Sequence, residues 1–146
     1  MSNRKMLLIE DSEDDQALIL RALKKAGVEY QIDVIHDGAE ALEYIFGRER
    51  HKGRGVAHPT ITILDLKLPK VDGLEVLRQI REDARTKHNP VVILTSSAEH
   101  DDLMRSYGLG VNSYVRKPIE FAQFTKTVAD LGLYWLTLNQ VSPDAQ

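Results

Sequence analysis

No cysteine occurs among the 146 residues, so disulfides, thiolate zinc sites and thiol catalysis are all excluded. Nor does one charge sign dominate, since 19 basic residues stand against 22 acidic ones for a net charge of -3. The two signs are mixed along the chain, which gives no electrostatic footprint for nucleic acid or for an anionic membrane. Long apolar runs are missing as well. The N-terminus from Met1 to Lys5 is polar, and the apolar stretch after it is far too short for a signal peptide or a membrane span, so a cytoplasmic protein is expected. No glycine-rich phosphate loop follows a strand-like segment, and the lone Gly108-Leu109-Gly110 pattern does not make one. There is no internal repeat. The length suits one globular domain, expected over 1–146 with a C-terminal extension from about 131 and no output domain.

What the chain does contain is a series of short apolar runs that stop on polar side chains. Leu7-Leu8-Ile9 ends in Glu10-Asp11, Ile61-Thr62-Ile63-Leu64 in Asp65, Val91-Val92-Ile93-Leu94 in Thr95, and Ser113-Tyr114-Val115-Arg116 in Lys117-Pro118. Lys5 to Glu10 reads as a buried strand, after which Ser12 offers an N-cap with Glu13, Asp14 and Asp15 in the first helical turn. The apolar face of that helix is Ile19, Leu20, Leu23 and Ala26, and Lys24-Lys25 before Gly27 closes it. Tyr30, Ile32 and Val34 alternate as a second strand. Asp37-Gly38 opens a helix carrying Ala41, Leu42, Ile45 and Phe46 and ending at Gly47. A helix from Asp72 with Leu74, Leu77 and Ile80, a strand at 90–95, a helix near 99–107 ending at Gly108, a strand at 112–116 and a final helix complete the series. Five strands alternating with five helices predict an α/β fold, a doubly wound five-stranded parallel sheet with right-handed crossovers and helices on both faces.

Two segments stand apart. The basic stretch from Arg48 to Pro59 has no period and reads as a loop, on which His51 and His58 are expected to be solvated rather than metal ligands. From Phe121, the residues Phe121, Phe124, Val128, Leu131, Trp135 and Leu138 recur at steps of three and four, which predicts one helical face laid on the sheet. Leu133, Tyr134 and Leu136 fall off that stripe and give the end of the chain more apolar surface than one buried face uses, enough to meet another chain, most simply as a two-fold dimer.

If the strands take the flavodoxin-like order 2-1-3-4-5, the polar strand ends fall into one row, with Glu10 and Asp11 beside Asp65, Thr95 on its other side and Lys117 one strand further out. Three carboxylates this close cannot all stay ionised without a counter-charge. Carboxylate oxygens with no His or Cys suit Mg²⁺, with Mn²⁺ as the alternative, and Mg²⁺ readily takes a phosphate oxygen as well. Asp65, central in the row, can then attack phosphorus to form an aspartyl-phosphate while Lys117 and Thr95 hold the equatorial oxygens. An Mg²⁺-dependent phosphohydrolase would want a second acid two residues beyond the nucleophile, where Lys67 stands instead. A receiver-like adaptor that never uses phosphate would not need the full set of polar ends.

The motifs Leu-Leu-Ile-Glu-Asp-Ser at 7–12, Leu-Asp-Leu-Lys-Leu-Pro-Lys-Val-Asp-Gly at 64–73, Leu-Thr-Ser at 94–96 and Ser-Tyr-Val-Arg-Lys-Pro at 113–118 resemble the response regulator receiver domains of two-component signalling. By that resemblance Asp65 is the phospho-acceptor, Glu10, Asp11 and Asp65 bind Mg²⁺ with the Lys67 carbonyl, Thr95 and Tyr114 are the switch pair, and Lys117 contacts the phosphoryl group. It further implies a cis bond before Pro118, a sensor histidine kinase as partner, and a role for Lys67 and Ser97 in the lifetime of the acyl phosphate. Asp-Leu-Lys-Leu-Pro-Lys, Gly110 to Tyr114 and the late Tyr134-Trp135 are similar to the single-domain regulators that serve bacterial phytochrome-type kinases, which implies a homodimer through the last strand and helix face.

Overall fold

Alternation along each strand sends side chains to opposite faces of a sheet, and here both faces are apolar. Leu7 and Ile9 of the first strand join one buried cluster, Met6 and Leu8 another, so this strand must be covered on both sides. The computed structural model describes residues 4–143 apart from Glu29 and Arg54. Its elements in chain order are β1 (Lys5–Ile9), α1 (Glu13–Lys25), β2 (Gln31–Ile35), α2 (Gly38–Phe46), β3 (Ile61–Leu64), α3 (Gly73–Glu82), β4 (Val91–Thr95), α4 (His100–Gly108), β5 (Ser113–Arg116) and α5 (Phe121–Leu133). A 3₁₀ turn at Glu49–His51 and a π turn at Tyr134–Leu138 follow α2 and α5. The five strands are parallel in the order β2-β1-β3-β4-β5, as the alternating pattern predicts.

Local chemistry sets the helix starts. Ser12, Asp37 and Asp72 each sit in extended backbone and accept from an N–H three residues on, at 3.2, 2.7 and 3.0 Å. Gly27 (φ 83°) and Gly47 (φ 66°) take the left-handed conformation that ends α1 and α2. One face of the sheet is covered by α2 and α3 through Ala41, Ile45, Val76, Leu77 and Ile80, the other by α1 and α5 through Ile19, Leu23, Phe124 and Val128. Each of the larger of these contributes roughly 1.5–3 kcal/mol through burial. Gly132 packs closely on α1, where a Cβ would lie 2.3 Å from Leu23 Cδ2 and would oblige that side chain to shift.

Several expectations are corrected. On α1, Leu20 is exposed and Gln16 is buried in its stead, because the Gln16 amide donates to the Glu10 carbonyl at 2.6 Å and so can leave water without loss. The stripe predicted for the last helix holds through Leu131 and Trp135, both packed against the core, and breaks after them, where Leu136 is fully buried and Leu138 is 72% exposed. A π turn adds one residue to the local repeat and rotates everything beyond it by about 100°, which exchanges the inward positions; Phe121, at the other end of the stripe, is exposed as well. His51 is half-buried, packed edge-on against Tyr44 with ring centroids 5.1 Å apart, whereas His58 is exposed. The Pro118 bond is trans, the isomer favoured by about 0.5–1 kcal/mol for an X-Pro linkage.

Helix α4 has its amphipathicity reversed. Its buried residues are Asp102 and Ser106, while Leu103, Met104 and Tyr107 face outward. The apolar contacts that hold this region begin just past its end, at Leu109 and Val111. No helix among the described residues is long and apolar enough to cross a membrane.

Candidate functional site

Strand register brings the polar ends together. Ile9 lies opposite Leu64, and the Asp65 N–H donates to the Ile9 carbonyl at 3.1 Å, so Glu10 and Asp65 leave adjacent strands at the same level. Thr95 and Arg116 are paired across β4 and β5, and the Lys117 N–H continues the ladder to the Thr95 carbonyl at 2.7 Å. One carboxylate oxygen from each of Glu10, Asp11 and Asp65 falls within 4.8 Å of the others, with Glu10 and Asp65 buried and Asp11 exposed at the mouth.

The Lys117 ammonium fills the centre of this group. It donates to Glu10 Oε1 at 2.7 Å, Asp15 Oδ2 at 2.7 Å and Asp65 Oδ2 at 3.1 Å, which uses all three of its protons. Burial works against this ammonium, but the hydrogen bonds to Asp15 and Glu10 and the Asp65 charge outweigh it and hold Lys117 above the ordinary lysine range. Burial pushes Glu10 up to about 7, the Asp65 charge adds to the rise, and the Lys117 and Ser12 N–H bonds only partly offset it. One ammonium against the carboxylates of Glu10, Asp11, Asp15 and Asp65 leaves a deficit of positive charge. The donor set therefore fits a hard divalent cation of the Mg²⁺ or Mn²⁺ kind, with exposed Asp11 on the way in.

Asp65 is held from below. The Lys67 N–H donates to its Oδ1 at 3.3 Å, and the start of α3 presses on its loop, where the Gly73 N–H meets the Leu66 carbonyl at 2.9 Å. A Cβ on Gly73 would stand 2.3 Å from the Asp65 carbonyl oxygen. Thr95 is fully buried and its Oγ1 accepts from the Ser97 N–H at 3.3 Å. The Tyr114 hydroxyl, half-buried, donates to the Ser97 carbonyl at 3.0 Å.

All the residues predicted from sequence, Glu10, Asp11, Asp65, Lys67, Thr95, Tyr114 and Lys117, thus lie at or next to one strand-end pocket. The sequence reading missed Asp15, taken only as a first-turn helix acid, and the tie between Ser97 Oγ and Asp102 Oδ2 at 2.6 Å. For Asp15 the signal was present: an acid one turn into a helix that starts at the pocket rim points back toward it.

Comparison with known proteins agrees with this geometry. The family model of the response regulator receiver domain matches residues 6–129. The probable methanogenesis regulatory protein FilR2 of Methanothrix harundinacea is 43% identical over 135 residues, 92% of this chain and 85% of that protein. Response regulator Rcp1 of Synechocystis is 34% identical over 131 residues, 90% of this chain and 88% of that one. The crystal structure of its Mn²⁺-bound form superimposes with a TM-score of 0.89 at 32% identity, covering 95% and 99% of the two chains. That of the phosphorylated cyanobacterial phytochrome response regulator RcpA gives 0.89 at 34% identity, covering 96% and 99%. With the five-stranded order, the carboxylate pocket and these matches in agreement, the chain belongs to the response regulator receiver domain family.

Proposed function

We propose that Asp65 accepts a phosphoryl group from the phosphohistidine of a sensor histidine kinase, in an Mg²⁺-dependent step, and that the modified chain changes its affinity for a partner. The observation that carries this reading is the convergence of Glu10, Asp11 and Asp65 within 4.8 Å, with the Lys117 ammonium 3.1 Å from Asp65. A carboxylate oxygen of Asp65 attacks phosphorus, the phosphorus–nitrogen bond breaks, and its electron pair returns to the imidazole. Lys117, fixed by Glu10 and Asp15, offers positive charge to the phosphoryl oxygens, and the Thr95 hydroxyl offers a proton to another. Held by Glu10, Asp11, Asp65 and the Lys67 carbonyl, Mg²⁺ would neutralise the charge that gathers on the transferred group. The chain catalyses only its own phosphorylation and dephosphorylation in this scheme.

Thr95 and Tyr114 supply the readout. Both bond to Ser97, one through its N–H and one through its carbonyl, so a shift of Thr95 toward the phosphoryl group strains the seat of the Tyr114 hydroxyl. The likeness to RcpA, named a phytochrome response regulator, supports a phytochrome-type kinase as the donor. Exposed Leu133, Tyr134 and Leu138 at the end of the chain support a homodimer through the last strand and helix face.

Incubation with acetyl phosphate and Mg²⁺, followed by intact mass measurement, tests the acceptor. Wild type should gain one phosphoryl group and Asp65→Asn none, and persistent labelling of the variant would refute the assignment. Size-exclusion chromatography before and after labelling tests the change in self-association.

A further inference from the structure

Lys67 ties two parts of the molecule together. Its backbone N–H donates to Asp65 Oδ1 at 3.3 Å, yet its ammonium lies toward α4, 3.6 Å from Asp102 Oδ2. The two ends of that ion pair differ in freedom, because the Lys67 side chain is 62% exposed and that of Asp102 only 10%. Asp102 is further fixed by the 2.6 Å bond from Ser97 Oγ. Ser97 is itself pinned, since its Oγ accepts from the Glu99 N–H at 3.2 Å, its carbonyl from the Tyr114 hydroxyl at 3.0 Å, and its own N–H donates to Thr95 Oγ1 at 3.3 Å. The arrangement is a stationary anion facing a cation on a long, solvated tether. A carboxylate on the inward face of a helix is out of place as packing, so its position calls for a charge partner, and Lys67 is the cation that reaches it.

We infer that Asp102 is a positioning residue for Lys67, competing with the phosphoryl group on Asp65 for the lysine ammonium and so setting how long the acyl phosphate lasts. The inference rests on the phosphorylation of Asp65 proposed above. Phosphorylation brings roughly -1.5 to -2 charges to a loop only two residues from Lys67. Hydrolysis requires a water oxygen to attack phosphorus while the phosphorus–oxygen bond to Asp65 breaks, its electron pair returning to the carboxylate and the water proton passing to solvent. An ammonium drawn onto the phosphoryl oxygens takes up space through which water must approach. Held on Asp102, the same ammonium leaves that side open. With its lysine parked on α4 the chain loses the phosphoryl group faster than it would with that lysine on the phosphoryl oxygens.

The test is a double-mutant cycle read by acyl-phosphate decay. Wild type, Asp102→Asn, Lys67→Met and the double variant are labelled with acetyl phosphate and Mg²⁺, desalted, and followed by intact mass. Asparagine keeps an oxygen for Ser97 Oγ and removes only the charge, which preserves the loop. The half-life of Asp102→Asn should lengthen about two- to fivefold, the factor that a partly exposed ion pair carries. In the Lys67→Met background the Asp102→Asn change should do nothing. Decay of Asp102→Asn that matches or exceeds the wild-type rate overturns the inference. An equal effect in both backgrounds also overturns it, since Asp102 would then act on the fold alone. Repeating the chase in EDTA should leave the ratio between variant and wild type unchanged, and a ratio that disappears without Mg²⁺ would place the effect in the carboxylate cluster and overturn the assignment to Lys67. Wild type that takes no label would instead remove the phosphorylation of Asp65, and this inference with it.

Discussion

Leu136→Ala isolates the effect of the π turn on the core. Leu136 is fully buried in the cluster beneath α1 and α5, whereas Leu138, the residue an unbroken helix would turn inward, is 72% exposed. Truncation at Leu136 removes three carbons from a filled site, about 2.4 kcal/mol of transfer free energy at about 0.8 kcal/mol each, to which incomplete collapse of the cavity adds, for a total of about 3 kcal/mol. With an unfolding entropy of about 2.1 cal/mol/K per residue over 146 residues, the midpoint should fall by about 10 °C. Leu138→Ala should cost no more than about 0.5 kcal/mol, in line with other exposed positions. Circular dichroism melts together with urea titration measure both, and coincident transitions by two probes would justify the two-state treatment. A Leu138→Ala penalty equal to or larger than that of Leu136→Ala would refute the register described for the chain end.

Glu10 makes the metal-free protein pH-sensitive. With the folded value raised to about 7 from 4.5, the native chain keeps a proton that the unfolded chain has lost, so stability falls as pH rises across that window, by on the order of 3 kcal/mol. Glu10→Gln should flatten this slope in EDTA-treated protein, and an unchanged slope would show that another group is responsible. Because the metal competes with that proton, Mg²⁺ affinity measured by calorimetry should rise about tenfold from about pH 6 to about pH 8, and a flat profile would contradict the burial argument. Gly73→Ala should destabilise by at least about 2 kcal/mol and reduce acetyl phosphate labelling, since its Cβ would meet the Asp65 carbonyl oxygen at 2.3 Å and the Leu66 Cα at 2.7 Å. Normal stability in this variant would mean that the loop yields easily.

The strands and the polar groups that end them could be read from sequence because a strand buried on both faces is a continuous apolar run with an abrupt stop. Glu10, Asp65 and Thr95 each mark such a stop, Lys117 follows the half-exposed edge strand β5, and one strand order is enough to align all four. Helix starts were equally legible, since Ser12, Asp37 and Asp72 cap through contacts only three residues long. Contacts made by helix side chains were not. Whether Asp15 reaches Lys117, 102 residues away, or Asp102 reaches Lys67 depends on how each helix is set against the sheet, which no local pattern encodes. Gln16 took the inward place assigned to Leu20 because its amide bonds the Glu10 carbonyl just before the helix, and that bond outweighs hydropathy. The π turn defeats any reading that assumes a constant repeat.

A helix seated on Asp102 and Ser106, with its greasy side chains turned to water, is mounted differently from its neighbours. Interlocked methyl groups resist sliding because any shift opens voids, but polar anchors can be traded one for another without leaving a hole. The charge on Asp102, bonded by Ser97 Oγ at 2.6 Å and facing the Lys67 ammonium at 3.6 Å, is part of what seats this helix, and Leu103, Met104 and Tyr107 are fixed to its outer side. An apolar outer side is thus carried on a helix whose own buried side chains are polar.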